Sequence, residues 1–263
     1  MNNIINTKDI LENLNDYQLV YVGTFPQKFT NDHIVYLDFD KYMYGEVVEG
    51  FARHPVATTE QFKLLLEDLT ILDKHIVFFD DGGYFRATRT WWTFKYYGIE
   101  NVSVLNDMEN LLNIIDSIDF SQIHPTNRIT EFKENDNYYA DMDFVKDIMD
   151  NDDYLLIDFR SFISYSGLMR INNPEGGHIP NAINLPADHL IMNNLIVSDE
   201  LIKKVFSSLN LNKKIVAYCG SGMMATLGVL ALEQIGVLSK LYVGSMSDWI
   251  SDFNNPIEFS EII

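Results

Sequence analysis

An α/β fold of two related domains, each a parallel sheet with helices on both faces, is predicted by three features of the sequence. Short continuous apolar runs alternate with helical segments, the pattern of strands that are buried on both sides. Two long segments repeat the same order of elements. A polar, aperiodic stretch separates them.

The repeat emerges when HIVFFDDGGYFRATRTWWTFKYYGIENVSVL, from His75, is laid over KIVAYCGSGMMATLGVLALEQIGVLSKLYV, from Lys214. Each is an apolar β-rich run, a Gly-containing loop, a helical segment closed by Gly and a second apolar run. Ile76 then matches Ile215 and Gly98 matches Gly236, with the first loop one residue longer. A second pair agrees: DHIVYLDFD, residues 32 to 40, resembles a shortened GHIPNAINLP, residues 177 to 186, with three residues missing after the isoleucine. Residues 116 to 143, polar and with one proline, read as a crossing linker. The expected division is a first domain over 1–120, a linker over 121–140 and a second domain over 141–263.

In the second half YLLIDF (154 to 159), AINLP (182 to 186), KIVAY (214 to 218) and KLYVG (240 to 244) are predicted strands. SDELIKKVFSSL (198 to 209) and MMATLGVLALEQI (223 to 235) are predicted helices. Ser198, followed by Glu200, supplies a helix start, and Gly236 stands where a helix-ending glycine belongs.

Composition bounds the function. A chain of 263 residues has room for two domains that each bury a core. A hydrophobic fraction of 47% with 13% aromatics is too rich for disorder. Lys and Arg number 19 against 38 Asp and Glu, a net charge of -19, which repels phosphate backbones and anionic lipid surfaces. Nucleic acid and membrane partners are excluded on that ground. The opening residues lack a basic stretch followed by an apolar one, and no run approaches the ~18 apolar residues of a spanning helix. A cytoplasmic location is expected.

Cys219 is the only cysteine, so it forms no internal disulfide and is either core filler or a reagent. Its position favours the reagent. It follows KIVAY directly, at the carboxyl end of a parallel strand, where ligands gather in such sheets. Gly220-Ser221-Gly222 lets the chain curl so that the N–H groups from Gly220 to Met224 point inward, an anion-binding nest backed by a helix N-terminus. Sulfur at the rim of that cup is placed to attack an anionic substrate. A cysteine phosphatase would carry a phosphate-clamping arginine at position 225, which is Ala225.

The loop CGSGMMA, residues 219 to 225, resembles the active-site loop of the rhodanese and 3-mercaptopyruvate sulfurtransferase family, and is closest to the CGSGVTA form of the mercaptopyruvate branch. LLIDFRS (155 to 161), GHIPNAINLP (177 to 186) and YVGSMSDWISDFNNPIE (242 to 258) resemble further family segments in the family's order. ARHPVATTEQF (52 to 62) and ATRTWWTFKYYG (87 to 98) are similar to the noncatalytic domain of two-domain members. The resemblance implies tandem rhodanese-like domains, the second catalytic, with Asp80 at the first-half position equivalent to Cys219. It implies double displacement: Cys219 takes sulfur from 3-mercaptopyruvate or thiosulfate as a persulfide and passes it to cyanide or to a thiol acceptor such as a reduced thioredoxin-like protein or small thiol. No metal or organic cofactor is implied. A second reading is a tandem rhodanese with impaired turnover, acting as a sulfur carrier or regulatory binding module.

By the same resemblance the substrate-binding residues are Gly220, Ser221, Gly222, Met223, Met224 and Arg160. Arg160 is expected either to bind the substrate anion or to pair with Asp158. Family members usually carry a second arginine four residues on, where this chain has Ser164; Arg170 is a candidate substitute. Ser221 either bonds a substrate carboxylate or shapes the loop. His178 is expected to be structural, and His33 matches a family position linked to proton handling. Trp91, Trp92 and Trp249 are expected to fill core and domain-interface space.

Overall fold

Apolar runs of two to seven residues become the strands of two sheets with one topology. The computed structural model describes residues 2–24, 33–47, 53–120, 127–168 and 176–260. Contacts divide the chain into two units, Met1–Gly45 with Val56–Asn135, and Glu46–Pro55 with Asp136–Ile263. Arg170 lies outside the described residues.

The first unit contains β1 (Ile4–Ile5), β2 (Tyr17–Gly23), β3 (Ile34–Asp38), β4 (His75–Phe79) and β5 (Val102–Leu105), in the order β1-β5-β4-β2-β3 with every pair parallel. Its helices are α1 (Thr7–Glu12), α2 (Phe39–Tyr42), α3 (Thr59–Asp68), α4 (Phe85–Tyr96) and α5 (Met108–Ile114). Alternate residues of the central strands face opposite layers. Leu19, Tyr21, Val77 and Phe79 pack on Ile10 of α1 and Leu111 of α5. On the other face Phe78 meets Phe94 of α4 with ring centroids 4.8 Å apart, and Phe94 meets Phe62 of α3 at 5.0 Å. Both faces are therefore covered, which is why these strands read as unbroken apolar runs.

The second unit contains β6 (Tyr139–Ala140), β7 (Tyr154–Asp158), β8 (Ile183–Asn184), the hairpin β9 (Ile191–Met192) and β10 (Leu195–Ile196), β11 (Lys214–Tyr218) and β12 (Ser239–Tyr242). Leaving the hairpin aside, the parallel sheet runs β6-β12-β11-β7-β8, the same order as the first unit. Helices α6 (Met142–Ile148), α7 (Phe162–Ser166), α8 (Asp199–Val205), α9 (Ala225–Gln234) and α10 (Ser245–Trp249) complete it. Leu156, Val216, Tyr218 and Tyr242 form one core face with Val145 and Ile148 of α6 and Met246 and Trp249 of α10.

The correspondence between halves is physical as well as textual. Gly98 ends α4 at φ 76° and Gly236 ends α9 at φ 85°. The next amides then reach back, Ile99 N–H to the Phe94 carbonyl and Val237 N–H to the Leu232 carbonyl, both at 2.9 Å. Glycine adopts this left-handed closure without the Cβ penalty. The three-residue difference is also explained. β3 starts at Ile34, directly after His33, whereas Ile179 is followed by a turn with Asn181 at φ 62° before β8 starts at Ile183.

The stretch expected as linker is tied down where it is described. Asn127 O accepts from Asp73 N at 2.7 Å, Ile129 N donates to Ile71 O at 3.0 Å, and Asn135 N donates to Tyr96 O at 2.7 Å. Tyr139–Ala140 then pairs with β12 as an edge strand of the second sheet.

Candidate active site

Apolar β11 ends at Tyr218, and Cys219 follows at the carboxyl edge of the sheet, only 2% exposed. The loop behind it is held from the next strand–helix connection. The Cys219 amide donates to Ser245 Oγ at 3.1 Å, and Ser245 Oγ donates to the Tyr242 carbonyl at 2.8 Å. The first amides of α10 complete the clasp, Met246 N–H to Cys219 O at 3.0 Å and Ser247 N–H to Gly220 O at 2.8 Å. Gly222 turns the loop at φ 74°. Thr226 Oγ1 then caps the Met223 carbonyl at 2.6 Å as α9 begins. Gly228, one turn into α9, lets the helix lie against Phe159: a Cβ there would fall 2.1 Å from the Phe159 ring.

The segment after β7 forms the adjoining wall. Asp158, fully buried, accepts from the Arg160 amide at 2.9 Å, from Arg160 Nε at 3.0 Å and from Arg160 Nη2 at 2.6 Å. Arg160 Nη2 also donates to Gly177 O at 2.5 Å. Burial opposes the Arg160 charge, and the bonds and charge of Asp158 outweigh it, raising its pKa above the usual arginine value. Asn184 Nδ2 braces the turn by donating to the carbonyls of Asp158 at 3.0 Å and Arg160 at 2.8 Å. Tyr218, beside them, is pushed well above the usual tyrosine range by burial and by the Asp158 charge, and its hydroxyl accepts from Ile179 N–H at 3.2 Å.

Between the two walls is an open pocket of about 290 Å³. Of the residues singled out in the sequence it gathers Cys219, Gly220, Ser221, Met223, Met224, Arg160 and Ser164; Gly222 shapes the turn without lining the pocket. Ser221 is nearly buried and Met224 is exposed at the rim. The pocket also takes in Arg53, Phe159, Ser161, Pro186, Ala187 and Asp188, which sequence reading had not assigned to a site. Arg53 belongs to the Glu46–Pro55 segment of the second unit.

Other expectations separate cleanly. His178 is structural: Nδ1 lies 2.9 Å from Tyr165 O, and the ring stacks on Tyr165 with centroids 3.7 Å apart. His33 stacks on Phe120 at 4.7 Å and lines a different pocket, in the first unit, with Tyr17 and Lys74. Trp91 and Trp92 are buried in α4, and Trp249 is buried in the second core with Nε1 donating to Pro256 O at 2.9 Å. In the first unit Asp80 takes the place of Cys219 after β4. Its carboxylate accepts from Gly82 N at 3.0 Å, Arg86 N at 3.1 Å and Ala87 N at 3.0 Å.

Two parallel sheets of one topology, the second ending in a cysteine loop that curls into a helix beside an arginine-bearing wall, define the class of rhodanese-like α/β proteins. Comparison with known proteins agrees. The rhodanese-like domain family matches residues 141–252. The chain is 28% identical over 219 residues to the 3-mercaptopyruvate sulfurtransferase of Escherichia coli strain K12, covering 78% of this chain and 75% of that protein. It is 24% identical over 229 residues to the putative thiosulfate sulfurtransferase SseB of Mycobacterium tuberculosis, covering 85% and 81%. Among solved structures, SseA from Escherichia coli superposes with a TM-score of 0.75 at 21% identity, over 93% of this chain and 99% of that one. Residues 141–252 are thus a rhodanese-like domain, the chain as a whole has the two-domain rhodanese fold, and it is similar at modest identity to 3-mercaptopyruvate and thiosulfate sulfurtransferases. Among the described residues no helix is long and apolar enough to cross a membrane.

Proposed function

We propose that the protein is a sulfurtransferase that takes sulfur from 3-mercaptopyruvate in preference to thiosulfate, holds it as a Cys219 persulfide in the second, catalytic unit, and hands it to cyanide or a thiol acceptor. The observation that carries this reading is Cys219 at an open pocket whose walls combine guanidinium, hydroxyl and loop backbone. The Cys219 thiolate attacks the sulfur of mercaptopyruvate. A sulfur–sulfur bond forms, the carbon–sulfur bond breaks with its electron pair going to carbon, and the proton from the donor thiol ends on that carbon to give pyruvate. In the second step an acceptor thiolate attacks the outer sulfur, leaving as its own persulfide and restoring the Cys219 thiolate. The loop amides and Ser221 stabilise negative charge on sulfur in both steps.

The donor preference rests on charge. The loop Gly220 to Met224 carries no ionisable side chain. The Arg160 charge is balanced by buried Asp158, and the exposed charged residues of the pocket, Arg53 and Asp188, are one of each sign. Such a wall has a weak positive field, which suits the single carboxylate of mercaptopyruvate better than the thiosulfate dianion. The acceptor proposed is a small thiol or a reduced thioredoxin-like protein, working in the cytoplasm.

The test is intact-mass analysis after incubation with each donor, followed by steady-state kinetics with a common thiol acceptor. One added sulfur in the wild type and none in Cys219→Ser is expected, with higher kcat/KM for mercaptopyruvate. The same mass gain in Cys219→Ser would remove the assignment, and thiosulfate matching mercaptopyruvate would remove the preference.

A further inference from the structure

We infer that Asp188 is the specificity-determining residue of the acceptor step, selecting small thiols that carry an ammonium beside the sulfhydryl; this rests on the reading of Cys219 as the sulfur-accepting nucleophile. Its neighbours in the chain place it. Asp188 stands on a short 3-10 turn, Ala187–Leu190, in which Ala187 and Leu190 are buried. The Ala187 amide donates to the Phe159 carbonyl at 3.0 Å and the Ile191 amide to the Asp188 carbonyl, so the turn is fixed to the wall that Phe159 forms. Asp188 itself is exposed and lines the Cys219 pocket. Among the described residues no hydrogen bond or ion pair reaches its carboxylate.

That carboxylate is ill suited to a donor and well suited to an acceptor. Both proposed donors are anions, and Asp188 is the one carboxylate residue lining the pocket among the described residues. Cys219 is 2% exposed, so a sulfur bound to it lies between the buried thiol and the pocket mouth. An acceptor therefore works from the mouth, the level of the exposed Asp188 and Met224 side chains. A thiol with an ammonium on the neighbouring carbon offers Asp188 a charge-assisted hydrogen bond, and the ammonium favours the thiolate form of that thiol. The step balances without a further reagent. The sulfhydryl proton passes to solvent, the thiolate bonds to the outer sulfur, and the bond from that sulfur to Cys219 breaks with its electron pair left on Cys219. The net charge of -19 draws the same cation toward the protein and repels an anionic thiol.

The experiment separates recognition of the cation from sulfur transfer. Cys219, the only cysteine, is treated in the whole protein with 2-aminoethyl or with 2-sulfonatoethyl methanethiosulfonate, reagents that share a reacting sulfur and leaving group and differ in charge. In Asp188→Asn the ratio of the aminoethyl to the sulfonatoethyl rate falls about fivefold, in Asp188→Lys it falls further, and in Asp188→Glu most of it is kept. Asp152→Asn, the same change of charge at a fully exposed residue that does not line the pocket, keeps the wild-type ratio. In parallel, persulfide-loaded protein is discharged in a single turnover by 2-aminoethanethiol or by 3-mercaptopropionate, and their rate ratio falls by a similar factor in Asp188→Asn. A methanethiosulfonate ratio that is the same in wild type and Asp188→Asn overturns the inference, as does an equal fall in Asp152→Asn or a wild-type Cys219 that neither reagent reaches. If no donor loads Cys219 but the ratio still depends on Asp188, the sulfurtransferase reading fails while Asp188 stands as the cation-selecting residue of the pocket.

Discussion

The backbone amide of Cys219 is held by the hydroxyl of Ser245, 3.1 Å away, and Ser245 adopts a left-handed φ of 55° to place it there. A non-glycine residue in that region is strained, and here the strain is held by four bonds: those of Ser245 Oγ to the Cys219 amide and the Tyr242 carbonyl, and those of the Met246 and Ser247 amides to the carbonyls of Cys219 and Gly220. Ser245→Ala leaves a buried donor and a buried acceptor without their partner, a cost of about 2 kcal/mol. Urea unfolding reads that loss, and single-turnover persulfide formation slows in the same variant because the sulfur loses its fixed position. Full-rate loading in a destabilised Ser245→Ala would show that the clasp serves stability alone.

Arg160→Ala is expected to act mainly on folding. The variant leaves the Asp158 carboxylate buried with its main counter-charge gone, and breaking one partner of a buried pair costs on the order of 3 kcal/mol. Denaturant midpoints for Arg160→Ala and for the double variant Arg160→Met with Asp158→Asn test this. The double variant regains stability, because no uncompensated charge remains. A stable Arg160→Ala with only its mercaptopyruvate KM raised would instead place the guanidinium on substrate.

What was legible in the sequence follows from how each feature is encoded. KIVAY, HIVFF, Gly98 and Gly236 are local signals: continuous apolar runs mean strands covered on both faces, and a glycine after a helical segment means a left-handed stop. Four strands of the second sheet and the place of Cys219 at the end of one of them therefore read directly. The edge strands Ile4–Ile5 and Tyr139–Ala140 do not, since two residues carry no period and exist as strands only by pairing with β5 and β12. Arg53 was hidden for a related reason. ARHPVATTEQF reads as part of the first half, and only the folded contacts of Glu46–Pro55 bring its arginine to the pocket. Ser245 was likewise just the serine of a strand-ending segment until its partner, 26 residues upstream, was placed against it. His178 was readable as structural, and its stacking on Tyr165 accounts for that role.

His75 gives the first unit a defined pH response. Its Nε2 lies 2.7 Å from Ser103 Oγ, and since that hydroxyl donates to Asn2 O at 2.6 Å the imidazole acts as donor to it. Burial, then the nearby Lys95 charge, lowers the His75 pKa below 6.5. Above 6.5 the ring is neutral in folded and unfolded chains alike and adds no pH dependence. As pH falls below 6.5 the unfolded chain binds the proton first, so stability declines until the folded pKa is passed. Urea midpoints compared at about pH 7.5 and about pH 5.5 should therefore fall less in His75→Gln than in wild type. Equal declines would mean that the imidazole titrates alike in both states.

Asp80 and Cys219 occupy the same place in the two sheets and use their loops in opposite ways. The Asp80 carboxylate accepts the amides of Gly82, Arg86 and Ala87, so the cup of the first unit is filled by an anion from its own chain. Burial pushes the Asp80 carboxyl up, while those three amides hold it down, the balance expected of a charge kept inside by hydrogen bonds. Asp80→Ala removes an acceptor from three donors at once at the start of α4 and is expected to cost about 2 kcal/mol, partly offset because a desolvated charge is also removed. Asp80→Asn, which keeps one carbonyl oxygen, should cost less. Neither change is expected to alter the proposed sulfur transfer: intact mass after donor treatment should show one added sulfur per chain in both variants, as in wild type. Loading that disappears in a folded Asp80→Ala, verified by its unfolding transition, would mean that the first unit takes part in the chemistry proposed for Cys219.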